Sequence, residues 1–394
     1  MSRPPLPPGR LRMPDLETVA TPALVLEGAT LAENVRAMAE RARAAGAELW
    51  PHTKTHKSRA IAALQREYGI SGLTTATVRE AECFVEGGFE DVLVAYPPVG
   101  DWRLERLCAL ARRARVRVVV DNGEVARALD DACRRSGVRI PYLWEVDCGV
   151  GRCGTAPGAA TAEIAAPIAE RTRWAVFDGV MAFGGHAYGA RAHEEIERAA
   201  AEEGAAVRET VAALAELGVE TRTTSVGTTP TAHELEREGP VGEIRPGNYV
   251  FYDATQVALG VVPSARCALT VLATVVSRPD PRRLILDAGS KALAAERLTP
   301  LTPGFGFVLG HPELVVERLF EEHAIVVSEA PSDVSIGARL RIVPNHACAC
   351  ANLHERMLVV SDGAVEDVWP VDARGWESER GDAVTPRGVR AAPA

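Results

Sequence analysis

No run in this sequence approaches the roughly 20 consecutive apolar residues of a membrane-spanning helix, so a membrane is not an expected partner. Positive charge is in deficit: 44 lysines and arginines stand against 53 aspartates and glutamates, for a net charge of -9. That deficit argues against nucleic acid as the main partner and leaves room only for a local basic pocket. Cysteine is sparse. Eight residues in 394 cannot make a disulfide scaffold, and several sit in apolar helix or strand patterns where a free buried thiol is the default. Residues 1–14 are rich in proline and arginine and lack the apolar core of a secretory leader. The expected compartment is therefore the cytoplasm. No internal repeat of fixed period is visible.

Apolar residues make up 47% and charged residues 25%, the balance of a globular chain in water, and the length suffices for two domains. From residue 20 onward, short apolar strands alternate with amphipathic helices. Strands are expected at 23–26, around Leu49, and at 72–76, 91–96, 116–120, 142–146, 179–183 and 223–226. Helical spacing appears between them, as in Ile61, Leu64 and Tyr68 after Ser58 as N-cap, and in Val125, Leu129 and Cys133. Thr77 and Glu80 form a capping box. Eight strands alternating with helices over about 240 residues predict a (β/α)8 TIM barrel over 20–262, with an open doubly wound sheet as the alternative. Beyond residue 263 helical periodicity is scarce. Strand-like runs at 268–276, 283–287, 324–328, 339–343 and 357–360 predict a second, smaller, mostly-β domain over 263–376, joined by an N-terminal arm of residues 1–19. Residues 377–394 are rich in Pro, Arg, Gly and Ala and predict a loosely ordered tail.

Four loops at strand ends carry the chemistry-bearing residues, and strand ends are where such folds build their sites. The first is Pro51-His52-Thr53-Lys54-Thr55-His56-Lys57-Ser58. A lysine held at a strand end can be partly desolvated; its pKa falls, and its amine becomes a nucleophile able to form a Schiff base. The plain alternative is a basic surface turn. The second loop, residues 145–154, presents Arg152 as its one cation among glycines, with a structural Arg–Asp pair as the alternative. The third is Gly185-His186-Ala187-Tyr188-Gly189, whose Tyr188 ring suits stacking on, or hydrogen bonding to, a flat cofactor. The fourth is Ser225-Val226-Gly227-Thr228-Thr229-Pro230-Thr231, the composition that cradles phosphate through backbone N–H groups and hydroxyls. Arg245-Pro246-Gly247-Asn248-Tyr249 would complete that cradle. The Walker lysine is missing, which argues against a nucleoside triphosphate.

In the β domain the notable run is Pro344-Asn345-His346-Ala347-Cys348-Ala349-Cys350-Ala351-Asn352-Leu353-His354. Read as extended chain, it puts His346 and Cys348 on one side, where imidazole and thiolate can bind one metal, zinc by preference, with Cys350 and His354 as spare ligands. A plain strand is the alternative.

Together these loops resemble the D-threonine aldolase and D-serine dehydratase family, the two-domain pyridoxal-phosphate enzymes of the alanine-racemase fold type. The resemblance spans about residues 20–372. It is carried by Pro51-His52-Thr53-Lys54-Thr55-His56-Lys57, by Val146-Asp147-Cys148-Gly149-Val150-Gly151-Arg152-Cys153-Gly154, by the glycine–threonine loop at 227–229, by Pro246-Gly247-Asn248-Tyr249 and by Pro344-Asn345-His346-Ala347-Cys348. It implies pyridoxal 5'-phosphate held by Lys54, with Lys57 in support. Around the cofactor it implies His52, Arg152, Tyr188, Gly227, Thr228, Gly247, Asn248 and Tyr249. It also implies a divalent metal on His346 and Cys348, Zn2+ first, with Mn2+ or Mg2+ as alternatives. The family's aldolases carry His-x-Asp at that pair and its dehydratases His-x-Cys, so this chain stands on the dehydratase side. Many relatives have a histidine just upstream of the Gly-His-x-Tyr motif, where this chain has Phe183. The implied activity is that of a lyase on D-3-hydroxy amino acids: first a D-serine/D-threonine dehydratase giving a 2-oxo acid and ammonia, second an aldolase giving glycine and an aldehyde. An amino-acid racemase and a non-catalytic pyridoxal-phosphate carrier are the remaining readings, and the β domain with its His-x-Cys speaks against both. A homodimer is implied as well.

Overall fold

The computed structural model describes residues 15–234 and 241–375. The tail expected at 377–394 and the first 14 residues of the arm lie outside the described residues. Eight short parallel strands form one sheet, in the order Glu48–Leu49, Glu243–Ile244, Thr223–Val226, Ala175–Ala182, Ile140–Val146, Arg115–Val120, Asp91–Val94 and Leu73–Thr75. Its two edges meet. Ser71 N–H donates to Leu49 O and Thr74 N–H to Pro51 O, each at 2.9 Å, beside a His52–Thr74 bridge. The sheet is therefore the closed (β/α)8 barrel, and the open doubly wound alternative falls.

One expected barrel strand belongs elsewhere. Ala23–Glu27 pairs antiparallel with Leu269–Asp280 and parallel with Arg356–Ser361, in the other sheet. Glu243–Ile244 takes its place in the barrel. An apolar run buried on both faces carries no mark of which sheet receives it, and a strand of two residues has no period to read. Inside the barrel, Trp50, Leu93, Val119, Leu143 and Met181 pack as one layer. Burying an aliphatic side chain of that size contributes roughly 1.5–3 kcal/mol. Arg117 lies with its guanidinium 3.9 Å from the Trp50 ring centroid and pairs with Glu243 at 2.6 Å. The interior is filled, so a site must form at the strand C-termini.

The second sheet has nine strands and is mostly antiparallel. Six of them close on themselves: Arg283–Leu286, Ala324–Val327, His311–Leu319, Gly306–Val308, Arg339–Pro344 and Leu269–Asp280, the last pairing back to the first. Ala23–Glu27, Arg356–Ser361 and Ala364–Pro370 extend it from Leu269–Asp280. Residues 15–19 lie against this sheet, where Arg339 donates to Glu17 O at 3.0 Å and to Val19 O at 2.5 Å.

The two units are stitched at helix starts. Ser58 holds the N-cap position of Arg59–Glu67 but makes no side-chain cap; Asp372 of the β unit accepts from Arg59 N–H instead, at 2.8 Å. The capping box at Thr77 forms by half. Thr77 Oγ1 accepts from Glu80 N–H at 3.1 Å, while Glu80 turns back to Ala76 N–H at 2.9 Å. Among the described residues no helix is long and apolar enough to cross a membrane.

Candidate active site

Loops at the barrel mouth and the start of the β-domain helix enclose a cavity of about 610 Å³. Lys54 enters it from the turn Thr53–Thr55, just past the Glu48–Leu49 strand. Thr53 fixes the turn: its hydroxyl donates to Thr74 O at 3.1 Å, and its carbonyl accepts from His56 N–H at 3.1 Å and Lys57 N–H at 2.8 Å. Lys57 adopts φ 49°, a left-handed conformation uncommon outside glycine. Its amine turns away from the cavity, to Glu80 at 3.3 Å and Asn352 at 2.9 Å. Lys54 Nζ lies 5.4 Å from the Phe183 ring centroid, and burial pulls its pKa below the ordinary lysine value. His52 lines the same wall, accepts from Lys54 N–H at 3.4 Å, and is held neutral by burial. His56 does not reach the cavity. Its ring packs edge-on to Phe84, and burial drives its pKa to about 3.

Asp147 Oδ1 accepts from the N–H groups of Gly149, Val150 and Gly151, which curls the loop and brings Arg152 to the cavity. The Arg152 guanidinium sits 4.8 Å from the Phe183 ring centroid and 3.6 Å from Glu145 Oε1. Phe183 is thus an apolar shelf between two cations. Tyr188 also lines the cavity, and burial pushes its phenol up, so the hydroxyl stays protonated. A third cation, Arg245, is buried in the wall and donates to Ser225 Oγ at 2.5 Å and Ala182 O at 2.6 Å.

Of the donors expected to cradle a phosphate, two are already committed within the chain. Gly227 N–H donates to Glu203 Oε1 at 2.9 Å, and Thr228 N–H to Thr231 Oγ1 at 2.8 Å, so neither is free for an anion. Glu203, from helix His193–Glu216, also accepts from Gly184 N–H at 2.7 Å and from the Thr231 hydroxyl at 2.9 Å. In these two loops, among the described residues, the N–H groups of Thr229, Gly247 and Asn248 have no intramolecular partner. Gly247 is required there, because a Cβ would stand 2.9 Å from both His52 O and Thr55 Oγ1. Gly227 serves as a left-handed corner with φ +101°. Asn248 lines the cavity and keeps a buried Oδ1 with no partner. Tyr249 does not belong to the cavity. Its hydroxyl accepts from Gln65 in the core at 2.8 Å, and its N–H donates to Thr229 Oγ1 at 3.2 Å. Three open N–H groups beside Lys54, Arg152 and Arg245 suit a phosphate ester carrying a flat ring, as pyridoxal phosphate does.

The segment expected to be extended is a helix, Ala347–Leu353, with His346 at its N-cap. Asp253 provides the cap from another part of the chain, accepting Ala347 N–H at 2.9 Å, and the alanine-rich run favours the helix. His346 and Cys348 still meet. Burial opposes both shifts, yet their mutual hydrogen bond and charge raise the His346 pKa and lower that of the Cys348 thiol. Cys348 Sγ lies 3.1 Å from Thr55 Oγ1, one residue from Lys54. A polarised thiol beside an imidazole suits a divalent ion of zinc's softness. Cys350 and His354 face away, both onto Ala292 O, at 3.2 and 2.8 Å, so neither is a spare ligand. Among the described residues, the one convergence of three metal-capable side chains, His193, Glu197 and Glu234, lies outside the cavity. Glu203, Asp253 and Glu296, which bonds His346 Nδ1, carry no local signal in the sequence. Glu203, for one, sits beside the exposed Glu202 in the same alanine-rich stretch.

The family model for the alanine racemase N-terminal domain matches residues 27–255, and that for a putative serine dehydratase domain matches residues 268–360. The chain is 35% identical to a D-threonine aldolase of Arthrobacter sp over 375 residues, 94% of this chain and 97% of that one. It is 30% identical to a D-serine dehydratase of Dictyostelium discoideum over 376 residues, 88% of this chain and 95% of that one. The fold matches a D-threonine aldolase from Filomicrobium marinum with a TM-score of 0.86 at 33% identity, covering 93% of this chain and 98% of that one. It matches a variant of D-threo-3-hydroxyaspartate dehydratase in its metal-free form with a TM-score of 0.86 at 31% identity, covering 92% and 100%. With a half-buried lysine at the mouth of the barrel and likeness along nearly its whole length, the chain belongs to the D-threonine aldolase and D-serine dehydratase family, pyridoxal-phosphate-dependent lyases of the alanine-racemase fold.

Proposed function

We propose that this protein is a pyridoxal-phosphate- and divalent-metal-dependent lyase that dehydrates D-3-hydroxy amino acids, D-serine and D-threonine first, to a 2-oxo acid and ammonia. The observation that carries it is the 3.1 Å contact of Cys348 Sγ with Thr55 Oγ1, which sets the thiol–imidazole pair beside Lys54 in one cavity. Pyridoxal phosphate would be held by Lys54, by the N–H groups of Thr229, Gly247 and Asn248, and by Tyr188 and His52 along the walls. When bound, it supplies an electron sink for the charge left at Cα. An ion on His346 and Cys348, zinc by the character of the donors, would supply Lewis acidity toward the β-hydroxyl. Lys54, its charge weakened by burial, is the candidate base for the Cα proton. Arg152 offers the fork-shaped cation for a substrate or cofactor oxygen. A homodimer, implied by family likeness, and a cytoplasmic location, from the sequence, are part of the same proposal.

Retro-aldol cleavage is the second reading, supported by the 35% identity to the Arthrobacter aldolase. There the β-hydroxyl loses its proton and the Cα–Cβ bond breaks, giving glycine and an aldehyde. Product analysis of the purified, metal-loaded protein separates the two. Pyruvate from D-serine or 2-oxobutyrate from D-threonine, with ammonia, supports dehydration. Glycine with acetaldehyde from D-threonine moves the activity to the second reading, and racemised amino acid as the sole product ends the lyase proposal.

A companion prediction concerns the ligands. Chelation, or Cys348→Ala, should lower turnover on the order of 10³-fold, the several kcal/mol that metal polarisation supplies, while the melting temperature stays nearly unchanged. Cys350→Ala should keep turnover within about twofold, because its thiol faces Ala292. Native rates in the chelated protein would remove the metal from the reaction.

A further inference from the structure

We infer that Glu296 is the positioning residue that orients His346 toward a bound metal ion; the inference rests on the reading that His346 and Cys348 hold a divalent ion. Glu296 Oε2 is hydrogen-bonded to His346 Nδ1. With Nδ1–H committed to a carboxylate, the ring nitrogen left with a lone pair is Nε2. The contact therefore fixes both the tautomer and the plane of the imidazole. A carboxylate on the far nitrogen also makes the ligating nitrogen more basic, and losing such a partner typically weakens metal binding roughly 10- to 100-fold.

A half-exposed glutamate on a loop is ordinarily a weak partner, because a mobile side chain loses entropy when it is held. This one stands on pinned backbone. Glu296 lies in the irregular stretch between helix Ser290–Leu293 and strand Gly306–Val308. Asn345, buried to 3% exposure, spans that stretch with its side-chain amide, donating to Glu296 O at 3.3 Å and to Gly304 O at 2.7 Å. Asn345 is itself anchored, its carbonyl accepting from the Thr255 hydroxyl at 2.7 Å. Asn345 is also the residue before His346. One residue holds the loop, and the loop's carboxylate holds the next residue's ring, so the circuit closes over three side chains. Leu298, two residues beyond Glu296, lines the cavity, which makes the same loop one of its walls. Another acid near His346 is Asp253, and it is committed to Ala347 N–H at 2.9 Å and the Asn248 amide at 2.5 Å. Glu296 is thus the carboxylate that the ring itself uses.

The test measures Zn2+ affinity of the full-length, cofactor-loaded protein by competition with a coloured chelator, for wild type, Glu296→Ala, Glu296→Gln and His346→Ala. Glu296→Ala should bind Zn2+ roughly 10- to 100-fold more weakly, with the cofactor absorption and melting temperature unchanged. Glu296→Gln keeps an oxygen that accepts the Nδ1 proton and should recover part of the loss. With Co2+ as probe, the thiolate-to-cobalt band should persist in Glu296→Ala, since Cys348 is intact, while the ligand-field bands shift. Wild-type Zn2+ affinity in Glu296→Ala, against lost affinity in His346→Ala, would overturn the role of Glu296 and leave the metal site standing. A melting temperature that falls in step with affinity would assign Glu296 to loop stability and overturn it too. Wild-type affinity in His346→Ala would bring down the metal site and this inference together.

Discussion

Lys54→Ala should abolish the visible absorption of the cofactor-loaded protein and lower turnover on the order of 10⁴-fold, the scale lost when a positioned base is removed, while Lys57→Ala should keep both. The two lysines are three residues apart in one motif, and the backbone sends them to opposite sides. Lys54 reaches the cavity, where burial lowers its pKa and leaves a larger share of neutral amine near pH 7. Lys57 is bent outward by its φ of 49° and clamps Glu80, which is 2% exposed. Breaking a buried pair on one side leaves the other charge uncompensated, at about 3–5 kcal/mol. The two variants should thus fail differently. Lys54→Ala should melt near the wild-type temperature and be colourless and inactive. Lys57→Ala should be coloured and active when cool, and melt several degrees lower. A visible band that survives in Lys54→Ala would sink the assignment.

What the sequence discloses depends on whether a feature is local. The turn bearing Lys54 is legible because strand, turn and helix follow one another within 20 residues and the helix Arg59–Glu67 carries a clear helical period. The alternation of strands and helices is legible for the same reason. Its failures are places where distant chain decides. Ala23–Glu27 reads as a strand but chooses the β sheet because Leu269–Asp280 and Arg356–Ser361 are there to pair with it. The run from Ala347 reads as extended until Asp253, 94 residues away, caps it as a helix. His346 and Cys348 come together on a geometry other than the expected extended one, since an N-cap residue and the second residue of its helix also lie close enough to meet. Gly227 and Thr228 look like phosphate donors in any local view. Only the fold reveals that Glu203 and Thr231 occupy their N–H groups, while those of Thr229, Gly247 and Asn248 stay open.

Glu203→Ala is accordingly expected to be among the most damaging substitutions away from the cavity wall. The carboxylate gathers Gly184 N–H and Gly227 N–H on Oε1 and the Thr231 hydroxyl on Oε2. Removing it orphans two buried N–H donors, at about 1–3 kcal/mol each, leaves the Thr231 hydroxyl only Thr228 Oγ1 to turn to, and frees the corner at Gly227. The protein should lose several degrees of melting temperature and bind pyridoxal phosphate at least about tenfold more weakly, roughly the 1.4 kcal/mol due to one misaligned amide. Glu203→Gln should do neither. Its amide oxygen still accepts both N–H groups, and its NH2 can donate to Thr231 Oγ1 while the Thr231 hydroxyl turns to Thr228 Oγ1, 3.0 Å away. The pH dependence separates charge from shape. Burial raises the Glu203 pKa above its ordinary 4.5, so the folded state binds this proton more tightly than the unfolded chain. The stability it contributes is full below about pH 4.5 and is lost as pH rises through the higher folded value. Glutamine has no such loss. The difference in stability between Glu203→Gln and wild type should therefore move in favour of the variant as pH rises from 4.5 toward neutrality. Denaturant melts at several pH values, with cofactor titrations at neutral pH, measure both effects. If Ala and Gln at 203 give the same melting temperature and the same cofactor affinity, the carboxylate does not organise the cradle, and the loop at 227–231 holds its shape without it.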